Sequence, residues 1–394
     1  MQMLVIDDEA DVGEFIVAAA QGLGFDCRAT THADEFLAGL NPDVSLVMMD
    51  LMMPEVDGVE LLRVLAKRGC RARIILMSGV GKRVLETAEE LAQSLGLAVA
   101  GHLQKPFRLA DLEGLLRKQV VRDVTPAVAQ RPPIVATDDD LRRAIDRGEF
   151  ILHYQPQMDM RSDRVTGVEA LVRWQHPVHG LIFPDAFIGR AESLGLIDAL
   201  GWLVAKRAMT EIKLFTGSDG APLTLSLNVS VHTLQDLSFP DKFVALAQAH
   251  GVSPANVILE ITESGLIKEL CSALDILTRL RMKQVQLSID DFGTGFAMMQ
   301  QLRHVPATEI KIDKSFVHDM HANDSARVMV LKTIELGHEL GMKVVAEGVE
   351  TAAQREFLRA NGCDFAQGYF YSRPLAVPVL QKWLAAPRSY LVTA

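Results

Sequence analysis

The chain has 394 residues, 49% of them hydrophobic and 23% charged, with 28 Gly and 16 Pro. This composition supports packed cores, excludes a fibrous or low-complexity chain, and at this length favours two domains. The formal net charge of −10 leaves no general basic footprint, so DNA binding is not expected. Cys27, Cys70, Cys271 and Cys363 are scattered without a CxxC pair, which argues against a disulfide framework or zinc knuckle and for a reducing compartment. The opening MQMLVIDDEA meets acids at Asp7 and Asp8, so it has no signal-peptide core. No run approaches the roughly 20 apolar residues of a membrane span, and a cytoplasmic protein is expected.

In chain order, MLVID, SLVMMD, RIILMS and AGHLQ read as buried parallel strands, and FDCRAT as a weaker strand nearer an edge. Helical spacing over Val59–Lys67 and Leu85–Leu95 separates some of them, predicting a doubly wound five-stranded parallel sheet over residues 1–120. From Val121 the period lapses, and Pro126, Pro132 and Pro133 mark a linker over 121–137. A short helix, LRRAIDRG, follows. Then come ILHYQPQM, VTGVEALVRW, LTLSLNVS, NVILEITE, VQLSIDD, EIKID, KVVAEGV and DFAQGYF. Helical stretches such as Phe243–His250, Leu270–Arg281 and Ala326–Leu340 separate most of them. That series predicts a (β/α) barrel over 138–388, with the first two strands forming a hairpin across DMRSDR rather than a βαβ unit.

Strand ends converge in a doubly wound sheet. Asp7, Asp8 and Asp50 would repel one another there unless a divalent cation sat between them, and hard oxygen donors suit Mg2+. Asp50 could then accept a phosphoryl group, with Lys105 balancing charge and the Ser78 hydroxyl bonding a phosphoryl oxygen. The set IDDEA, MMDLMMPEVDG, LMSG and QKPF resembles the flavodoxin-like receiver domain of two-component response regulators. The resemblance implies that Asp8, Asp50 and the backbone carbonyl of Met52 bind one Mg2+, supported by Asp7. It also implies that Asp50 is phosphorylated by a cognate sensor histidine kinase, and that Ser78 and Lys105 sense the phosphate. The chain departs from the pattern at His102, three residues before the lysine, where a tyrosine or phenylalanine switch usually stands. Relay through that face is expected to work differently.

The barrel's working rim is formed by the carboxyl ends of its strands. Read in order they carry Glu169, Asn228, Glu260 with Glu263, Asp290–Asp291, Lys311, Glu347 with Glu350, and Gln367. Adjacent strand residues face opposite sides, so Asp290 and Asp291 share a ligand only if the strand stops at Asp290. Gly293 and Gly295 would then let the chain turn sharply. So many carboxylates at one mouth need cations, and two metals about 4 Å apart would activate a bridging water and steady the leaving oxygen of a displacement at phosphorus. Lys311 could orient that water. DDFGTG lacks the glycine loop and lysine of a kinase, and no HExxH is present.

Residues from about 138 to 388 resemble the EAL-domain phosphodiesterases, metal-dependent enzymes that hydrolyse cyclic di-GMP to linear pGpG; the naming motif stands at Glu169–Leu171. The resemblance implies a modified (β/α)8 TIM-type barrel holding two Mg2+ or Mn2+ ions. Glu169, Asn228, Glu260 and Asp290 would bind the first, and Asp290 and Asp291 the second. Lys311 would contact the nucleophilic water, with Glu347 assisting it or binding the second metal. Glu350 and Gln367 would support the site, Glu263 would anchor the loop after Asp291, and Gln155 and Arg173 would contact substrate. No position departs from this pattern, and no GGDEF-type segment is present. The alternatives are a cyclic di-GMP receptor that signals through protein contacts, and a receiver that titrates phosphate beside a scaffold barrel. Both families commonly self-associate, so a homo-oligomer is expected.

Overall fold

Strands that are apolar on both faces must be covered on both, and the burial of neighbouring residues shows this directly. In β1 (Gln2–Ile6) Met3 and Val5 pack into one core, while Leu4 and Ile6 pack into another on the opposite face. The computed structural model describes residues 1–54, 56–124, 137–217, 220–293, 302 and 304–386, and the chain divides into units Met1–Pro133 and Ile134–Ala394. In the first, β1 joins β2 (Asp26–Thr30), β3 (Val44–Asp50), β4 (Arg73–Ser78) and β5 (Val99–Gln104) in a parallel sheet ordered β2-β1-β3-β4-β5. The half-exposed FDCRAT strand takes the edge, as its weak pattern predicts. Helices α1 (Ala10–Gly22), α2 (Ala33–Gly39), α3 (Gly58–Lys67), α4 (Lys82–Ser94) and α5 (Leu109–Val124) connect and follow the strands. The order reverses at β1, so the ends of β1 and β3 lie side by side where ligands of open sheets bind.

Helix α5 carries to Val124, past Val121 where the sequence pattern lapses. Pro126, Pro132 and Pro133 lie outside the described residues. Helix α6 (Asp138–Arg147) starts three residues before the predicted Leu141. Thr137 and Asp140 form a reciprocal capping box there, which the TDDD run encodes.

In the second unit β6 (Phe150–Asp159) and β7 (Val165–His176) form the expected antiparallel hairpin. The short β8 (Gly180–Ile182), α7 (Ile188–Ser193) and α8 (Ile197–Glu211) lead to β9 (Thr224–Asn228), α9 (Phe239–Ala249) and β10 (Val257–Thr262). Next come α10 (Glu263–Met282), β11 (Gln286–Phe292), β12 (Glu309–Ile312), α11 (Lys314–Asp319) and α12 (Asp324–Glu339). The series ends with β13 (Lys343–Ala346), α13 (Ala352–Ala360), β14 (Phe365–Ala366), β15 (Leu375–Ala376) and α14 (Val377–Ala385). Pairing of β6 with both β14 and β7 closes an eight-stranded barrel, and β6 runs against both neighbours. Inside the described residues no helix is long and apolar enough to cross a membrane.

One expectation is corrected. The strand does not stop at Asp290: β11 continues to Phe292, with a register irregularity between Ile289 and Phe292. Asp291 itself takes a left-handed φ of 54° and Gly293 one of 99°. The strand's alternation is thus broken from within, at an acid that tolerates this conformation. Gly295 lies outside the described residues.

Candidate active site

Lys311, on β12, is the electrostatic centre of the barrel mouth. It is fully buried, and its Nζ lies 2.6 Å from Glu347, 2.8 Å from Glu260, 3.2 Å from Asp290 and 3.6 Å from Glu169. Burial disfavours its charge, but these carboxylates outweigh burial and hold its pKa well above the usual value. Glu169 faces Asn228 and Gln367, whose side-chain amides donate to its two oxygens at 2.9 and 2.7 Å. Despite burial, Lys311 and these donors keep Glu169 below the ordinary carboxylate range. Glu260, buried and beside the charge of Glu169, is driven well above it. Burial pushes Glu347 up to about 8. Burial and the neighbouring Asp290 push Asp291 to about 6.

The left-handed turn puts Asp291 where the sequence reading requires it: oxygens of Asp290, Asp291 and Glu347 lie within 4.8 Å of one another. Two buried oxygens, Glu260 Oε1 and Gln367 Oε1, have no hydrogen-bond partner. Such atoms are costly unless something binds them. An all-oxygen donor set with spare buried lone pairs fits a hard divalent cation. The acids open into a cavity of about 730 Å3 whose wall also includes Leu171, Ile188 and Trp202.

Around this centre, Gln155 is held beside Glu169 by register and donates to the Ser372 carbonyl at 3.3 Å. Arg173 is buried, spends one nitrogen on the Val172 carbonyl, and has no partner for Nε. Glu263 accepts the Gly293 N–H at 2.8 Å, which ties α10 to the end of β11. Glu350 is not brought in: its side chain is exposed, and among the described residues its backbone N–H alone is engaged, by Gln354.

At the receiver sheet, ligand oxygens of Asp7, Asp8 and Asp50 gather within 4.8 Å. Lys105 Nζ lies 2.6 Å from Asp50, 2.7 Å from Asp7 and 3.5 Å from Glu9. Burial raises the Asp7 pKa, while the Lys105 pKa rises because Asp50 and Asp7 outweigh its own burial. Met52 N–H donates to Asp50 at 2.9 Å, and the buried Ser78 hydroxyl accepts from Val80 N–H at 3.1 Å. His102, two register steps below Ser78, pairs with Glu89 of α4 at 2.8 Å.

Residues 138–374 match the EAL domain, and residues 3–117 match the response regulator receiver domain. The chain belongs to the EAL-domain family and carries a receiver domain. It is 33% identical over 339 residues to the cyclic di-GMP phosphodiesterase RocR of Pseudomonas aeruginosa, covering 84% of each chain. It is 43% identical over 247 residues to an uncharacterized signaling protein of Caulobacter vibrioides, spanning 63% of this chain but only 30% of that one. Its EAL domain is similar to a solved structure of the PaMucR phosphodiesterase in complex with c-di-GMP, at 38% identity and a TM-score of 0.58, covering 61% of this chain and 98% of that one.

Two acids of this EAL domain escape a reading by strand ends. Asp313 caps α11 and, with burial and Asp290 ahead of it, helps raise the Asp291 pKa. Its signal is the two-residue step from Lys311, which sets both on one face. Glu309 lies one step below Lys311, is 4% exposed, and is pushed up to about 7 by burial. Its Oε1 has no partner. An acid at the start of a strand carries no signal in sequence that separates it from an ordinary turn residue.

Proposed function

We propose that this chain is a response regulator whose barrel hydrolyses cyclic di-GMP to linear 5′-pGpG with two Mg2+ or Mn2+ ions. Phosphoryl transfer from a cognate sensor histidine kinase to Asp50, with one Mg2+ at Asp8 and Asp50, sets its output. The observation that carries the reading is the crowding of Glu169, Glu260, Asp290, Asp291 and Glu347 around one buried lysine. Lys311 alone leaves that cluster negative, and two divalent ions would complete the balance. Relatives named as cyclic di-GMP phosphodiesterases support the same assignment.

In this reading Glu169, Asn228, Glu260 and Asp290 hold the first ion. Asp290 and Asp291 hold the second, and the grouping of Glu347 with them favours a ligand's role for it. Bound ions would supply a hydroxide at neutral pH and offset charge on the leaving oxygen. The protein's own part is positional. Asn228 and Gln367 fix Glu169, Glu263 fixes the turn that presents Asp291, and the Lys311 ammonium orients the water and meets the charge that develops on phosphate. Gln155 and Arg173 contact the nucleotide. A cytoplasmic homo-oligomer belongs to the same reading.

Purified chain with Mg2+ or Mn2+ should convert cyclic di-GMP to pGpG, and Glu169→Ala should lower turnover by at least ~100-fold while the chain stays folded. Nucleotide bound intact, without product at any metal concentration, would identify a receptor instead. Asp50→Ala should abolish any response of turnover to a phosphoryl donor; a response that survives would remove Asp50 from control.

A further inference from the structure

The wall of the mouth cavity is acidic beyond the cluster around Lys311. It also holds Asp185, Glu192 and Asp198, and among the described residues that line it Lys314 is the single base. Lys314 opens α11, three residues after Lys311 and next to Asp313. It is exposed, and its ammonium has no hydrogen-bond or ion-pair partner among the described residues. Its stem is nonetheless seated. Gly348, directly after Glu347, takes a left-handed φ of 67°, and a Cβ there would lie 2.6 Å from the Lys314 Cβ. A glycine lets the two segments approach this closely, so the root of the side chain is fixed beside the cluster while its charged head stays free.

Resting on the two-metal hydrolase reading above, we propose that Lys314 holds the phosphate of cyclic di-GMP that is not being cleaved. Charge decides the assignment. Glu169, Glu260, Asp290, Asp291 and Glu347 carry five negative charges, which Lys311 and two divalent ions would offset in full. A cyclic dinucleotide brings two more, one on each phosphodiester. The reacting phosphate meets its counter-charge on the ions. The other enters a wall that holds further acids, where it needs a base not already spent. Lys311 is spent on four carboxylates, and Lys314 is not. A compact ammonium on a flexible stem can follow that phosphate as a point charge.

The test uses the full chain with Mn2+ and compares cyclic di-GMP with bis(p-nitrophenyl) phosphate, a diester with one phosphate. Kinetics of Lys314→Met, Lys314→Arg and Lys314→Glu are read beside equilibrium binding of the bis-phosphorothioate analogue of cyclic di-GMP, which keeps both negative charges. Lys314→Met should raise KM and Kd for the dinucleotide about tenfold with kcat within about threefold, and Lys314→Glu should raise them further. Lys314→Arg, which keeps the charge, should stay within about threefold of the parent. On bis(p-nitrophenyl) phosphate the loss of kcat/KM in Lys314→Met should be smaller by about fivefold or more. Constants for Lys314→Met within about twofold of the parent would overturn the role. So would equal losses on the two substrates, because the charge would then act at the reacting phosphate. Parent chain that binds the dinucleotide without cleaving it would refute the hydrolase reading and leave Lys314 to be judged on Kd. Parent chain that binds none would overturn both.

Discussion

The two domains meet one problem, carboxylates crowded around a lysine, at different depths. In the receiver Lys105 keeps 13% of its side chain exposed, Asp8 is exposed, and Asp7 is the acid displaced upward. In the barrel Lys311 is fully buried, and the displaced acids include Glu260, Asp291, Glu309 and Glu347. Asp7 and Asp50 are themselves buried, so the difference lies in the lysine's access to water and in the number of acids that face it: two buried acids share the partly exposed Lys105, whereas four face the enclosed Lys311. A lysine that keeps water shares its charge with solvent, whereas an enclosed one must be balanced by the protein alone.

The largest effect should come from Lys311→Met. Removing the Lys311 ammonium strands four nearby carboxylates, so stability should fall by about 3–5 kcal/mol in denaturant titrations, with turnover lost. A loss near zero would mean that the acids are already protonated and that the charge picture is wrong.

Glu309→Gln comes next. Burial lifts the folded pKa of Glu309 from 4.5 to about 7, so the folded state keeps its proton where the unfolded state has released it. Stability from this group is therefore full below about pH 4.5 and is lost as pH rises through about 7. In metal-free chain at pH 8, Gln should stabilise by up to about 3 kcal/mol relative to Glu, with no such gain near pH 4. Melting curves whose difference does not change with pH would assign Glu309 a packing role only.

Lys105→Met should have the smallest effect, about 1–2 kcal/mol, because water can replace part of what the lysine supplies. A cost equal to that of Lys311→Met, measured in the same titration, would erase the distinction between the domains.

The strands, the hairpin and nearly every mouth residue were legible because each sits at the end of an apolar run, and a run's end is visible in sequence. Reading failed where backbone geometry or depth decides. The sequence shows two adjacent acids, but the φ of 54° that brings Asp291 round to Asp290 depends on how β11 pairs with β12. Glu347 and Glu350 occupy equivalent-looking places in AEGVE, yet one meets Lys311 and the other points to solvent. Glu309 opens the predicted strand EIKID, and nothing in that run shows its carboxylate enclosed until the barrel closes over it.

The reversed first stave of the barrel carries a mechanical corollary. Seven strands climb toward the mouth, while β6 descends from it, so Phe150 enters beside Trp174, and Ile151 pairs with Arg173. The polypeptide arriving from the N-terminal side is therefore stitched in at the open rim, not at the sealed floor. Helix α6 shares one apolar core with Phe150 and Trp174, so the incoming segment is anchored at the rim before the first stave begins.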